Sequence, residues 1–275
     1  MSMVINTNVA SLSSQRHLAA SRAEMEQAME RLSSGKRINS AMDDAAGLTI
    51  AHSLDSKIAG LNQAVRNAND GIAMINIAEG AMEEMSSMLT RMKELAVQAI
   101  NGTYTATDLD AMDLEYQALV DEITRISDQT QFNGVAVIGS TSTISFQIGD
   151  TSSDTVSLVL EDMNSLALKL DSSVTVSDTN THAAAAGTAG TDLQSAANAA
   201  ETLVKIDNAI ATTDAYRSKL GALANRMEHA SSNLMSRVEH QAAARSRIQD
   251  ADYAVESANL AKAQVLQQAG TAMLS

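Results

Sequence analysis

The stretch IAGLNQAVRNANDGIAMINIAEGAMEEMSSMLTRMKELA, residues 58–96, decides the fold class. Its apolar residues recur at steps of three and four almost throughout, the spacing of a helix with a coiled-coil-like stripe. They are Ile58, Leu61, Val65, Ala68, Ile72, Ile75, Ala78, Met82, Met85, Leu89, Met92 and Ala96. Upstream, Ser40 with Asp43 has the pattern of a capping box, and downstream Asn101-Gly102 favours a turn. The sequence therefore predicts one long helix between these two signals.

The rest of the chain is helical on both sides of a short β region. Thr107 with Asp110 repeats the capping pattern and predicts a second helix that ends before Asn133-Gly134. Residues 135–176 are rich in β-branched residues, Ser, Thr and Gly, and they predict a small hairpin. Its strand-like alternation involves Ile144, Phe146 and Ile148, followed by Val156–Leu160. Helical spacing then returns from Leu203 onward.

Both ends of the chain carry apolar faces on predicted helices. On the N-terminal helix the face consists of Leu18, Met25, Met29 and Leu32. On the C-terminal helix it is a stripe of smaller residues, namely Ala251, Val255, Ala258, Ala261, Val265, Ala269 and Ala272. Because a short isolated helix is marginal in water, we expect the two ends to become ordered only on assembly, with the stripe buried against the N-terminal face and neighbouring copies. The predicted fold is mainly α, an elongated antiparallel helical coiled coil or bundle with a small β-hairpin region and paired termini.

Composition excludes several classes of function. The 275 residues include no cysteine and no proline, only 2% aromatic residues, and a formal net charge of −14. The lack of cysteine excludes disulfides, thiolate metal sites and cysteine nucleophiles, and the acidic balance argues against nucleic acid. No apolar run approaches the roughly 20 residues of a membrane-spanning helix, and no basic and apolar export signal opens the chain. Membrane partners and a cleaved signal peptide are therefore not expected.

The sequence offers no catalytic, cofactor or metal site. The five histidines are scattered without the spacing of a helical zinc site. Asp108, Asp110 and Asp113 lack the glycine and glutamate of a calcium loop, so they are interpreted as first-turn acids. Asp43-Asp44 has no nucleophile or cofactor loop nearby. We therefore predict a protein that is not an enzyme.

Ordered blocks along the chain closely resemble bacterial flagellin. The blocks are Asn6–Asn8, Arg31–Ala41, Asp43–Leu48, Arg66–Gly71, Glu94–Gln98, Gln131–Gly134, Ala244–Ile248 and Gln267–Thr271. The resemblance covers residues 4–138 and 200–275, and the short middle implies a flagellin without the outer variable domains. Flagellins similar to this chain usually continue after Leu274 with a proline-containing tail that ends in Leu-Leu-Arg, so the resemblance implies a missing C-terminal tail.

The resemblance implies an architecture and a set of partners. Residues 1–44 with 250–275 would form an inner filament-core domain, residues 45–176 with 192–249 a shell domain, and residues 177–191 a flexible surface connection. Gly35 and Ser40 would lie in a non-helical spoke between the two layers. The implied function is a structural subunit that polymerises with itself into the extracellular flagellar filament for motility. The implied partners are the export apparatus and export chaperone, and the filament cap and hook-junction proteins.

The resemblance also implies recognition by an animal Toll-like innate immune receptor. Its motif Leu-x-Arg-x-x-Glu-Leu-Ala-Val-Gln is present from Leu89 to Gln98. The predicted contacts are Arg91, Leu95, Gln98 and, on the following helix, Glu115.

Two alternatives to a filament subunit stay open at this point. A hook–filament junction protein has a similar architecture but occurs in few copies, and a soluble coiled-coil binding scaffold would show the same helical stripes without polymerising.

Overall fold

The computed structural model describes residues 9–170 and 191–274 of the chain. The helices are α1 (Val9–Ser34), α2 (Ala45–Ala99), α3 (Ala106–Gln129), α4 (Ala196–Gln249) and α5 (Tyr253–Leu274). The strands are β1 (Gln131–Phe132), β2 (Val135–Ala136), β3 (Thr143–Gln147) and β4 (Thr155–Val159). Because the sequence has no proline, no proline interrupts α2 and α4, which have 55 and 54 residues. The predicted mainly helical fold with a small β region is confirmed.

The chain forms two compact units. The terminal unit comprises the residues up to Asn62 and from Met235 onward, and the central unit comprises Gln63–Leu234. This division falls inside α2 and α4, whereas the predicted domain borders at 44/45 and 249/250 coincide with the breaks between helices. Most of the predicted connection, residues 177–190, lies outside the described residues.

The predicted stripe along residues 58–96 forms the buried face of α2. Met82, Met85, Leu89 and Met92 are fully buried in the core of the central unit. Tyr116 and Ile123 of α3 and Tyr216 and Met227 of α4 belong to the same core. Flexible methionine side chains fill irregular gaps, which allows a core with very few aromatic residues.

The helix starts differ from the predicted ones. The N-cap of α2 is Asp44 and not Ser40. The Asp44 carboxylate accepts the Gly47 N–H at 2.9 Å. At α3 the capping box is formed by Thr105 and Asp108 instead of Thr107 and Asp110. The Asp108 carboxylate accepts the Thr105 N–H at 3.0 Å and its hydroxyl at 2.7 Å. Several pairs of Ser or Thr with Asp have the spacing of a capping box, and the sequence alone does not show which pair forms the cap.

Two antiparallel hairpins make up the β region. β1 and β2 flank Asn133 and Gly134, whose φ angles of 50° and 80° suit a tight two-residue turn. β3 pairs with β4, and Val156 and Leu158 of β4 are buried in the central core. The predicted hairpin is confirmed, and the short β1–β2 hairpin is an addition to it.

Candidate functional site

The segment between α1 and α2 is hydrogen-bonded to the segment between α4 and α5. Lys36 and Asp250 form an isolated antiparallel bridge. The Arg37 N–H donates to the Gln249 carbonyl at 2.6 Å, and the Ala251 N–H donates to the Gly35 carbonyl at 3.0 Å. We call residues 35–44 and 249–252 the joint. It links the α1–α2 break to the α4–α5 break, so one break cannot rearrange without the other.

Glycine and aspartate shape the joint. Gly35 has a φ of 69°, which ends α1 at little cost only because glycine has no side chain. The Asp43 carboxylate accepts the Asn39 N–H at 3.1 Å, the Ser40 N–H at 2.9 Å and the Ser40 hydroxyl at 3.2 Å. Ser40 therefore closes a turn before α2. The predicted non-helical segment is present, but its Ser40 is not a helix cap.

The Asp43 turn makes the joint sensitive to acid. Backbone hydrogen bonds from Ser40 and then Asn39 hold the pKa of Asp43 below its ordinary value of 3.8. Because the pKa of Asp43 is lower in the folded protein than in the unfolded chain, the ionised carboxylate stabilises the turn at pH values above its ordinary pKa. This stabilisation is lost as the pH falls through the pKa of the folded protein. We expect the amide NMR signals of Asn39 and Ser40 to move together in that acidic range. Asp43→Asn should remove this titration, and unchanged signals down to the acid limit would contradict it.

α1 and α5 pack through small and half-buried residues. Ala28 and Ala263 are buried between them. Gly270 lets Leu18 approach, because a Cβ atom there would lie 3.2 Å from the Leu18 Cδ1 atom. Of the predicted N-terminal face, Leu18, Met25 and Leu32 are half-buried, whereas Met29 is 45% exposed.

An ion pair fixes the register of these two helices. Arg31 Nη1 lies 3.1 Å from Glu256 Oε1, and the Glu256 side chain is only 9% exposed. Glu256 belongs to the first turn of α5, where the helix dipole favours a carboxylate. Among the described residues, the buried Arg31 Nε atom has no hydrogen-bond partner, so this cation depends on Glu256 for most of its compensation.

The predicted stripe of α5 does not face α1. Val255 is 53% exposed and Val265 is 63% exposed, and Ala258, Ala261, Ala269 and Ala272 are exposed as well. At 100° per residue, most of this stripe falls opposite the face formed by Glu256, Leu260, Ala263 and Gly270. α1 and α5 are paired in the single chain through another face of α5, so the expected packing of this stripe against α1 is wrong. Its burial by neighbouring copies stays a prediction. We call these six exposed residues the outer face of α5.

The predicted receptor surface on α2 and α3 is only partly exposed. Arg91 Nε lies 2.9 Å from Glu115 Oε1, and its Nη1 lies 3.0 Å from Glu94 Oε2. These carboxylates raise the pKa of Arg91, with Glu115 contributing most. The Gln98 amide donates to the Tyr104 hydroxyl at 3.1 Å. Leu95, however, is 2% exposed and belongs to the core, so it is not the surface anchor that the motif predicts.

Sequence reasoning missed the pairs that connect distant helices. Arg245 pairs with Asp55, and Arg217 Nη2 lies 2.7 Å from Glu79 Oε1. Two arginines followed by two aspartates between 245 and 252 were the available signal for a joint, but nothing in the sequence identifies the partners.

The described residues show neither a metal-binding cluster nor a membrane-spanning helix. Within residues 9–170 and 191–274, no group of three or more His, Cys, Asp or Glu side chains is arranged to bind a metal. Over the same ranges, none of the helices combines the length and apolarity needed to cross a membrane.

Charge is divided unequally between the two units. Residues 1–62 and 235–275 contain ten Lys and Arg and ten Asp and Glu, so their formal charge is zero. Residues 63–234 contain nine Lys and Arg and 23 Asp and Glu, and they carry the whole net charge of −14. Copies of the terminal unit thus approach one another without net repulsion, while the central unit repels its counterpart.

Comparison with known proteins gives matches at both ends of the chain. The family described as "Bacterial flagellin N-terminal helical region" matches residues 5–143, and "Bacterial flagellin C-terminal helical region" matches residues 203–275. The flagellin of Bacillus subtilis is 40% identical over 298 residues, covering 99% of this chain and 95% of the relative. The flagellin of Halalkalibacterium halodurans is 39% identical over 274 residues, with the same coverages. The crystal structure of Bacillus cereus flagellin is 32% identical, with a TM-score of 0.52, and covers 66% of this chain and 94% of that one.

Proposed function

Because the chain belongs to the bacterial flagellin family, we propose that it is a structural subunit, not an enzyme, that polymerises into the flagellar filament for motility. The observation that carries this proposal is the outer face of α5, an apolar surface on an electrically neutral unit. Exposed contiguous apolar surface favours association with a partner. We assign this face to a second copy of the chain, because the terminal unit adds no net repulsion between copies.

Electron microscopy of the purified full chain tests this function. We expect short filament seeds to elongate when the protein is added at rising ionic strength, since salt screens the repulsion between acidic central units. Light scattering should follow the same salt dependence. Only monomers or dimers at all salt and protein concentrations would contradict the proposal and favour the binding-scaffold alternative.

The proposed location and partners follow from the same function. A filament subunit works outside the cell, and we propose that this chain reaches the flagellum without a cleaved signal peptide. The export apparatus, an export chaperone, the filament cap and the hook-junction proteins are its proposed partners. Quantifying the chain on isolated filaments would separate a main subunit, present along the whole length, from a junction protein present in few copies.

The joint is proposed to control filament shape. Gly35→Ala places a side chain at a φ of 69°, which costs about 1 kcal/mol and favours a different backbone path. We expect filaments of altered waveform and slower swimming. Gly80→Ala is the matched control, because Gly80 is helical and a Cβ atom there has open space. Normal waveform and normal swimming in the Gly35 variant would contradict a role for the joint.

We propose that an animal Toll-like receptor binds the monomer at Arg91 and Glu115, with Gln98 at the edge of the contact. Arg91→Ala removes a cation held by two carboxylates and is expected to weaken receptor binding by on the order of 1–2 kcal/mol. Arg66→Ala is the control, because Arg66 is an exposed arginine of the same helix, and its side chain donates to no residue but Gln63 in the described part of the chain. Binding assays on released monomer measure both variants. Equal binding by the two variants, or equal detection of intact filaments, would overturn the proposal.

A further inference from the structure

The protein has two Asn-Gly dipeptides, Asn101-Gly102 and Asn133-Gly134, and the structure places them in different environments. We propose that Asn101 is a site of spontaneous backbone modification, where the side-chain amide is lost and isoaspartate forms, while Asn133 is protected by its hairpin. This inference concerns the protein itself and does not depend on filament assembly.

The reaction needs only water. The backbone nitrogen of the following glycine attacks the asparagine Cγ atom and forms a new carbon–nitrogen bond, which closes a five-membered succinimide ring. The bond between Cγ and the amide nitrogen of the asparagine breaks, and the displaced group leaves as ammonia after taking the proton from the attacking amide. Water then opens the ring at either carbonyl and yields aspartate or isoaspartate. Glycine is the most permissive follower, because it has no side chain to hinder the attack.

Asn101 lies where this ring can close. α2 ends at Ala99, and every residue from 101 to 108 is exposed. The turn is held by two backbone bonds, from the Asn101 N–H to the Gln98 carbonyl at 3.1 Å and from the Thr103 N–H to the Asn101 carbonyl at 2.8 Å. In the described part of the protein, no hydrogen bond engages the attacking Gly102 N–H. A Cβ atom built on Gly102 would meet nothing within 4 Å, so the space needed for rotation is open.

Asn133 is also followed by glycine, but a hairpin constrains its backbone. Asn133 and Gly134 form the turn between β1 and β2, where Phe132 pairs with Val135 and Gln131 pairs with Ala136. Just beyond them, the Val137 N–H donates to the Thr130 carbonyl at 3.1 Å. Ring closure requires rotation about the asparagine backbone, which would break these pairs. The hairpin must therefore open before Asn133 reacts, and opening costs free energy.

The product at Asn101 would change the end of α2. A new carboxylate would lie beside the negative end of the helix dipole, which is unfavourable. Isoaspartate also adds a methylene group to the backbone. Since the Gln98 side chain donates to the Tyr104 hydroxyl across this turn at 3.1 Å, we expect the modification to weaken that contact.

Peptide mapping of the aged, folded full-length protein tests the proposal. Tryptic cleavage at Arg125 places Asn101 and Asn133 on separate peptides. After incubation at mildly alkaline pH, we expect a gain of about 1 Da and enzymatic isoaspartyl methylation on the Asn101 peptide. The same changes on the Asn133 peptide should be at least about tenfold slower, because that hairpin must open first. The rate at Asn101 should rise with pH, since the attacking nitrogen must lose its proton.

Two further arms make the result decisive. Gly102→Ala should slow the reaction at Asn101 without altering the fold, because this glycine has open space and no left-handed φ. In denaturant the two asparagines should react at similar rates, because only the fold distinguishes them. Equal rates in the folded protein, no reaction at Asn101, or an unchanged rate in Gly102→Ala would each overturn the proposal.

Discussion

Val265→Asp is expected to abolish filament formation while leaving the monomer folded. Val265 is 63% exposed on the outer face of α5, so a carboxylate there meets water in the monomer. In a polymer that covers this face, the same carboxylate would be buried without a partner. Burying an unpaired carboxylate costs about 3 kcal/mol for each contact between copies. A cost of that size raises the critical concentration for assembly on the order of a hundredfold. Sedimentation and electron microscopy would measure the loss of polymer, and circular dichroism would verify the monomer.

The matched control for this variant is Gln264→Asp. Gln264 is exposed on the same helix but lies about 100° away around the axis from Val265. It introduces the same charged residue into the same helix, but on a side of the helix away from the centre of the outer face. Gln is a better helix former than Val, so any loss of helix stability is at least as large in the control. We expect Gln264→Asp to polymerise nearly as well as the unmodified protein. If both variants assemble equally, the outer face is not an interface between copies.

Glu256→Ala is expected to release α5 from α1. The substitution leaves the half-buried Arg31 guanidinium without its carboxylate, at a cost on the order of 2–3 kcal/mol. Amide hydrogen exchange should show lost protection along both terminal helices, with little change in α2 and α3. Limited proteolysis should then cleave the ends of the chain faster.

Two comparisons separate this ion pair from general surface charge. Glu26→Ala breaks the Arg22–Glu26 pair, whose side chains are 70% and 62% exposed, and should change stability by less than about 0.5 kcal/mol. The double variant Arg31→Met with Glu256→Leu removes both charges and should restore most of the protection, because no unpaired charge remains. Equal effects of Glu256→Ala and Glu26→Ala would show that the buried pair does not hold the helices together.

The burial of Leu95 could have been predicted from its helical spacing, although the receptor motif indicated an exposed residue. The motif that carries the resemblance placed Leu95 on the surface with Arg91. Its spacing from Met92 and Ala99, three and four residues, nevertheless matches the buried stripe of α2, and all three are buried. The periodicity was the better guide to burial, because a helix face that is already packed against α3 and α4 cannot also be exposed.

The sequence by itself determined the long helices, the end of α2 before Asn101-Gly102 and the β3–β4 hairpin. Large apolar residues repeated over many turns permit only one buried face, and turn residues limit where an element ends. The face of α5 was decided only by tertiary structure. Its alanines cover most of the helix and favour neither side, so the decisive residue is the charged Glu256, whose partner Arg31 is 225 positions away in the sequence. A contact over that distance leaves no local pattern, because it forms only when both ends of the protein are brought together.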